Sequence, residues 1–198
     1  MKRLVRPQET GEKMKRSLRV VAVLASMCSA TCFAEGGFIG ATLGKADLDV
    51  DGYEDATSYS FLAGYQANEN LAFEFSYYST GEAEYSQESF FYGYEESAEI
   101  DGPTLSIVGI APINERFEFY GRLGVWVWDA EYSFKYSDAD FSLEASESED
   151  GNSVFYGLGA QFAAGKNAKI SLEFTKYEAG DEVDIDIDNI SVGGRYYF

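Results

Sequence analysis

The 198 residues contain no histidine. That removes the Ser-His-Asp and Cys-His arrangements, the histidine-ligated metal sites and the commonest general base in one step. The two cysteines, Cys28 and Cys32, lack the Leu-and-small-residue setting of a lipid-attachment site. Carboxylates are the abundant reactive group, with 34 Asp and Glu against 15 Lys and Arg. Asp47-x-Asp49-x-Asp51-Gly52 imitates the opening of a calcium loop, but no glutamate stands six residues after the glycine and the flanks are not helical in pattern. Glu74 and Glu173 could form a general acid–base pair only where a substrate fits between them. No catalytic residue, cofactor site or defined metal site is therefore assigned, and the chain is expected not to be an enzyme.

The elements that carry these residues divide into a leader and a patterned body. Met14 to Ala34 runs from a basic stretch through the apolar core Val20–Met27 to small residues, the layout of a secretory signal peptide. Its apolar run is too short for a membrane helix, which needs ~20 residues. We expect a signal over residues 1–34, with Met14 a possible true start, cleavage after Ala34, and a mature domain over residues 35–198 without cysteine. Lys2, Arg3, Arg6, Lys13, Lys15, Arg16 and Arg19 all lie in the leader, so the mature domain is more acidic than the overall charge of −19 suggests. Nucleic acid, which needs clustered Lys and Arg, is excluded as a partner.

Aromatic residues make up 16% of the chain and there are 20 glycines, a composition of strands and turns. Alternation of period two marks eight strands, near 38–45, 58–66, 70–78, 104–111, 116–128, 154–163, 169–175 and 190–198. Three connectors are short, at 67–70, 112–115 and 164–168. The others, near 46–57, 79–103, 129–153 and 176–189, are long, hold most of the acidic residues and read as loops. Plain turns on one rim and elaborated connectors on the other are the habit of a membrane β-barrel. Asp184-x-Asp186-x-Asp188 alternates with apolar residues in the parity opposite to Ile190 onward, which predicts a strand extension and a bulge near Asn189.

In each strand the bulky face opposes a small or polar one: Leu71, Phe73, Phe75 and Tyr77 stand against Ala72, Glu74, Ser76 and Tyr78. Eight strands enclose little space, so the small face belongs inside and the bulky one against lipid. By this parity Glu74, Arg122, Gln161, Glu173 and Arg195 form a polar network in the lumen, where unpaired charge is costly. Trp126 and Trp128 share the parity of Arg122 further from the short turns and are expected to cork the outer end of the lumen. Tyr59, Tyr65, Tyr77, Tyr156 and Tyr196 are placed in an interfacial belt.

The segments 61–78 (FLAGYQANENLAFEFSYY), 105–132 (LSIVGIAPINERFEFYGRLGVWVWDAEY) and 153–177 (SVFYGLGAQFAAGKNAKISLEFTKY) resemble the membrane domain of the outer-membrane protein A family, the OmpA-type eight-stranded barrel. The closing Gly194-Arg195-Tyr196-Tyr197-Phe198 is similar to the last strand of outer-membrane proteins, which implies that Tyr196 and Phe198 belong to a signal read by the barrel-assembly machinery. The resemblance implies an all-β, eight-stranded antiparallel up-and-down barrel in the outer membrane of a Gram-negative bacterium, with interior carboxylates and guanidinium groups paired across the lumen. Glu74 and Arg122 match such positions. Gln161 stands in place of a carboxylate, and Ser171 and Val108 in place of basic partners, so a thinner network is expected. The sequence stops at the last strand, and a wall-anchoring role is not expected of it. The expected function is non-enzymatic: envelope integrity and surface interaction through acidic extracellular connectors, with a small pore or hydrophobic side-channel as the alternative. The expected partners are outer-membrane lipid and lipopolysaccharide, the assembly machinery and divalent cations at the connectors, for a protein that acts as a monomer.

Overall fold

The computed structural model describes residues 36–48, 55–89, 92–138, 141–179 and 185–198. The predicted signal, its cleavage site and both cysteines lie outside the described residues. Nine strands follow in chain order: β1 (Gly37–Leu48), β2 (Ala56–Asn68), β3 (Leu71–Ser79), β4 (Ala83–Ser89), β5 (Tyr92–Pro112), β6 (Phe117–Asp138), β7 (Phe141–Ala163), β8 (Ala168–Ala179) and β9 (Ile185–Tyr197). Every pairing is antiparallel, β1 pairs with β9, and a β3–β5 pairing closes the sheet. Eight of the nine form the barrel, and β4 continues the line of β3 above it. Closure satisfies the backbone within the wall, as a bilayer demands.

Two of the three short turns are fixed by asparagine. Asn68 Oδ1 accepts from the Asn70 N–H at 2.8 Å, and Asn114 Oδ1 accepts from the backbone of Arg116 and Phe117 at 2.9 and 3.0 Å. Both ends of the described chain meet on this same rim, where the Phe198 N–H donates to the Gly37 carbonyl at 2.9 Å. The outer wall is apolar along its height: Leu43, Leu105, Leu123 and Leu158 are all more than half exposed. In water that surface would be a severe liability. Against lipid it is the expected exterior.

Where they are described, the long acidic connectors are largely continued strand rather than loop. β5, β6 and β7 span 21, 22 and 23 residues, and their pairing runs unbroken through the segments read as loops at 129–138 and 141–153. Above the barrel, β4, β5, β6 and β7 form an open four-stranded sheet, because β8 pairs with β7 only from Phe155 onward. The bulge predicted near Asn189 is absent: β9 stays in one register with both neighbours through Ile187, Asp188, Asn189 and Ile190. The apolar residues change face here because the surroundings change. Ile190 points outward to lipid, whereas Ile187, above the bilayer, is buried inward and Asp186 and Asp188 face water. Lys176 Nζ lies 2.7 Å from Asp186 and 3.7 Å from Asp188. Its hydrogen bond to Asp186 holds the ammonium above its usual range.

A bulge does occur between β3 and β4. Thr80, Gly81 and Glu82 oppose only Ile100 and Glu99. Thr80 repairs the ladder by donating its N–H to the Ile100 carbonyl and accepting the Ile100 N–H on Oγ1, each at 3.0 Å. Gly81 takes φ +72°, and a Cβ there would fall 2.3 Å from the Thr57 carbonyl oxygen, so this position requires glycine.

Candidate functional site

Strand alternation brings four charged side chains together in the middle of the lumen: Glu74 from β3, Arg122 from β6, Glu173 from β8 and Arg195 from β9. None is more than 6% exposed. Arg122 Nη2 lies 2.8 Å from Glu74 Oε1 and 3.1 Å from Glu173 Oε2. Arg195 Nη2 lies 3.2 Å from Glu74 Oε2 and 3.9 Å from Glu173 Oε2. Each guanidinium thus bridges both carboxylates, and two positive and two negative groups make a neutral ring. Glu173 also accepts hydrogen bonds from the Tyr120 hydroxyl and from Thr175 Oγ1, the latter at 2.7 Å, and the Arg195 guanidinium lies 5.1 Å from the centre of the Tyr120 ring.

Gln161 is buried on the same inner face but apart from the ring, and its Oε1 has no hydrogen-bond partner among the described residues. Val108 and Ser171 are likewise buried inward. Tyr120 and Thr175, which complete the shell of Glu173, were not anticipated, although both share the inward parity of the charges. A second ion pair, not evident from the sequence pattern, lies toward the short-turn rim: Lys169 Nζ is 2.6 Å from Glu118 Oε1 and 4.7 Å from the centre of the Tyr197 ring.

Apolar layers close the lumen on both sides of the ring. Toward the short turns lie Phe38, Leu62, Ala72, Val108, Ile110 and Tyr120. On the other side, Tyr78 stacks on Tyr177 with centroids 4.2 Å apart, Tyr177 on Phe155 at 4.9 Å, and Trp126 meets Tyr78 and Tyr177 edge-on at 5.7 and 5.0 Å. Trp126 is fully buried, and Trp128 lies above it with Nε1 donating to Ser153 Oγ at 2.9 Å. Of the tyrosines placed in the interfacial belt, Tyr65, Tyr156 and Tyr196 are well exposed on the outer wall, and Tyr59 and Tyr77 are half-buried.

Four inward aromatics lie over glycines directly opposite them on the neighbouring strand: Phe38 over Gly64, Tyr120 over Gly159, Phe155 over Gly124 and Trp128 over Gly151. A Cβ on any of these glycines would come within 2.3–2.5 Å of the ring or, at Gly124, equally of the Leu105 carbonyl. The glycines let large rings lie flat inside a narrow barrel. The space between Glu74 and Glu173 is taken by the guanidinium groups of Arg122 and Arg195, each paired with both carboxylates. Among the described residues no group of Asp and Glu side chains is arranged to hold a metal ion. Asp49, Asp51 and Gly52 of the calcium-loop-like segment lie outside the described residues. At the chain end, Tyr196 and Phe198 face outward with rings edge-to-face at 5.5 Å.

A closed eight-stranded antiparallel barrel with an apolar outer wall and a polar, packed interior defines an outer-membrane barrel of Gram-negative bacteria. The model of the OmpA-like transmembrane domain matches residues 32–196, and the chain belongs to that family. Ail, the attachment invasion locus protein of Yersinia pestis, shares the fold with a TM-score of 0.52 at 22% identity, over 83% of this chain and 100% of Ail. Ail has also been solved in complex with the heparin analogue sucrose octasulfate. Neisserial surface protein A shares the fold with a TM-score of 0.57 at 14% identity, over 83% of this chain and 98% of that protein. Comparison with curated protein sequences gives no match.

Proposed function

We propose that this barrel is a non-enzymatic, single-copy component of the outer membrane that serves envelope integrity and presents its acidic extracellular sheet to outside partners. The observation that carries the reading is the packed lumen, in which a neutral charge ring lies between two apolar plugs. A pore needs a continuous wet path, and these layers offer none. Purified protein in planar bilayers is expected to give no ion conductance above the bare membrane. Steady single-channel currents would establish the pore reading instead.

Residues 1–34 serve in this reading as a cleaved export signal. Tyr196 and Phe198 serve as the signal for assembly into the membrane. Burial of one aromatic contributes only about 1.5–3 kcal/mol, and Phe198 is 39% exposed even when folded. Deleting Phe198 is therefore expected to cut the amount of folded barrel in cells severely while leaving folding into detergent micelles nearly intact. Equal loss in both assays would reduce Phe198 to a stabilising contact.

The carboxylates above the barrel, among them Asp129, Glu131, Glu147, Glu149 and Asp150, stand next to an outer leaflet made anionic by lipopolysaccharide phosphates. Sulfated sugar of the kind bound to Ail would be repelled by such a surface. Divalent cations shared between these carboxylates and the lipid phosphates are the partners its charge suits, held collectively rather than at one site. At matched ionic strength calcium is expected to protect the extracellular sheet from proteolysis better than sodium does, since simple screening over ~8–10 Å is the same for both. Equal protection would leave only solvation as the role of the charge.

A further inference from the structure

Among the described residues, β7 has a partner on both edges only over Phe155–Ala163, where it lies between β6 and β8. From Phe141 to Val154 it pairs with β6 alone, and no other described backbone group bonds to that stretch. Among the described residues this leaves a strand edge without a partner, on the order of 40 Å long at about 3.4 Å per residue, standing above the membrane. Such an edge carries a row of unpaired N–H and C=O groups, the template that β-strand addition uses.

Free edges are ordinarily blunted by lysine, proline or a bulge. The stretch 141–154 contains no lysine, arginine or proline, and its register with β6 is unbroken. Its four charges, Glu144, Glu147, Glu149 and Asp150, are all negative, and Glu147 and Glu149 alternate on the face that continues inward from Phe155. Residues 145–150 are all exposed. A strand laid along this edge would meet carboxylates two residues apart on one side. Opposite charges across a strand pair stabilise it and like charges oppose it.

We infer that the β7 edge over 145–152 captures an extended basic segment of another protein by strand addition, in the seat above β8, with Lys or Arg at alternate positions facing Glu147 and Glu149. The inference rests on the surface-interaction reading above and names its partner class. Backbone bonds to the edge supply affinity, and the spacing of the two glutamates supplies register and selectivity.

The test uses the mature protein in nanodiscs and an acetylated, amidated eight-residue peptide alternating Lys and Thr. Two results are expected. Binding should slow hydrogen exchange at alternate amides over 145–152, those not already bonded to β6. The double substitution Glu147→Lys with Glu149→Lys should weaken the peptide by about tenfold or more and admit the corresponding Glu-Thr peptide, which shows that the altered strand is still folded. Binding without alternate-amide protection would reduce the contact to diffuse charge attraction and overturn the inference. So would an unchanged affinity after charge reversal, or no binding to the unaltered protein. Those failures leave the envelope role standing, because that role is read separately, from the detergent sensitivity of cells that carry or lack the barrel.

Discussion

Replacing Arg122 by Ala is expected to destabilise the barrel by about 3–5 kcal/mol, the cost of stranding a buried carboxylate. Arg122 Nη2 serves Glu74 and Glu173 at once, at 2.8 and 3.1 Å, and none of the three reaches solvent to compensate. The two carboxylates are not equally dependent on it. Glu173 keeps the hydrogen bonds of Tyr120 and Thr175 when the guanidinium is lost, whereas Glu74 keeps only Arg195, at 3.2 Å. A double-mutant cycle by urea unfolding in lipid vesicles should therefore give a larger coupling for Arg122 with Glu74 than with Glu173, and Arg122→Ala combined with Glu74→Gln should recover much of the loss. No coupling to either glutamate would mean that water reaches each group separately and that the lumen is wetter than its packing indicates.

That ring could be found in the sequence because strand alternation assigns a side without any knowledge of the partner strand. Glu74 and Glu173 each sit between two outward apolar neighbours, and Arg122 and Arg195 each beside one, Leu123 and Tyr196, so their inward placement follows from period two alone. The same rule misread Asp186, Ile187 and Asp188. It takes the apolar face to be the outer one, and that holds only where lipid is outside; above the bilayer the polarity of the two faces exchanges, and Ile187 continues the inner face without a bulge. Serine, glutamate and aspartate carry little strand propensity, so the acidic segments read as loops, yet they pair as strand along 129–138 and 141–150. The real bulge, at Thr80 to Glu82, depends on how β3 meets β5. The lumen aromatics over their glycines depend likewise on cross-strand register. Gly124 beneath Phe155 is a statement about two strands, and one strand read alone contains neither half of the reason for the other.

The upper plug gives the second large effect. Trp126 is fully buried, edge-on to both Tyr78 and Tyr177, while Tyr177 is held between Tyr78 and Phe155. Trp126→Ala removes the largest of these rings from the packed plug, and it is expected to cost about 3–5 kcal/mol. Trp126→Phe keeps the edge contact with Tyr177 and should recover a large part of that. The cavity left by alanine should not open a channel. Ions would still meet the neutral ring, and beneath it Phe38 and Tyr120 seated on Gly64 and Gly159. Urea unfolding and planar-bilayer recording of the same variant separate the two roles of the plug. A large loss of stability with no current is the expected pair of results. A current appearing on removal of this one side chain would show that the ring and the lower layer do not seal the lumen by themselves.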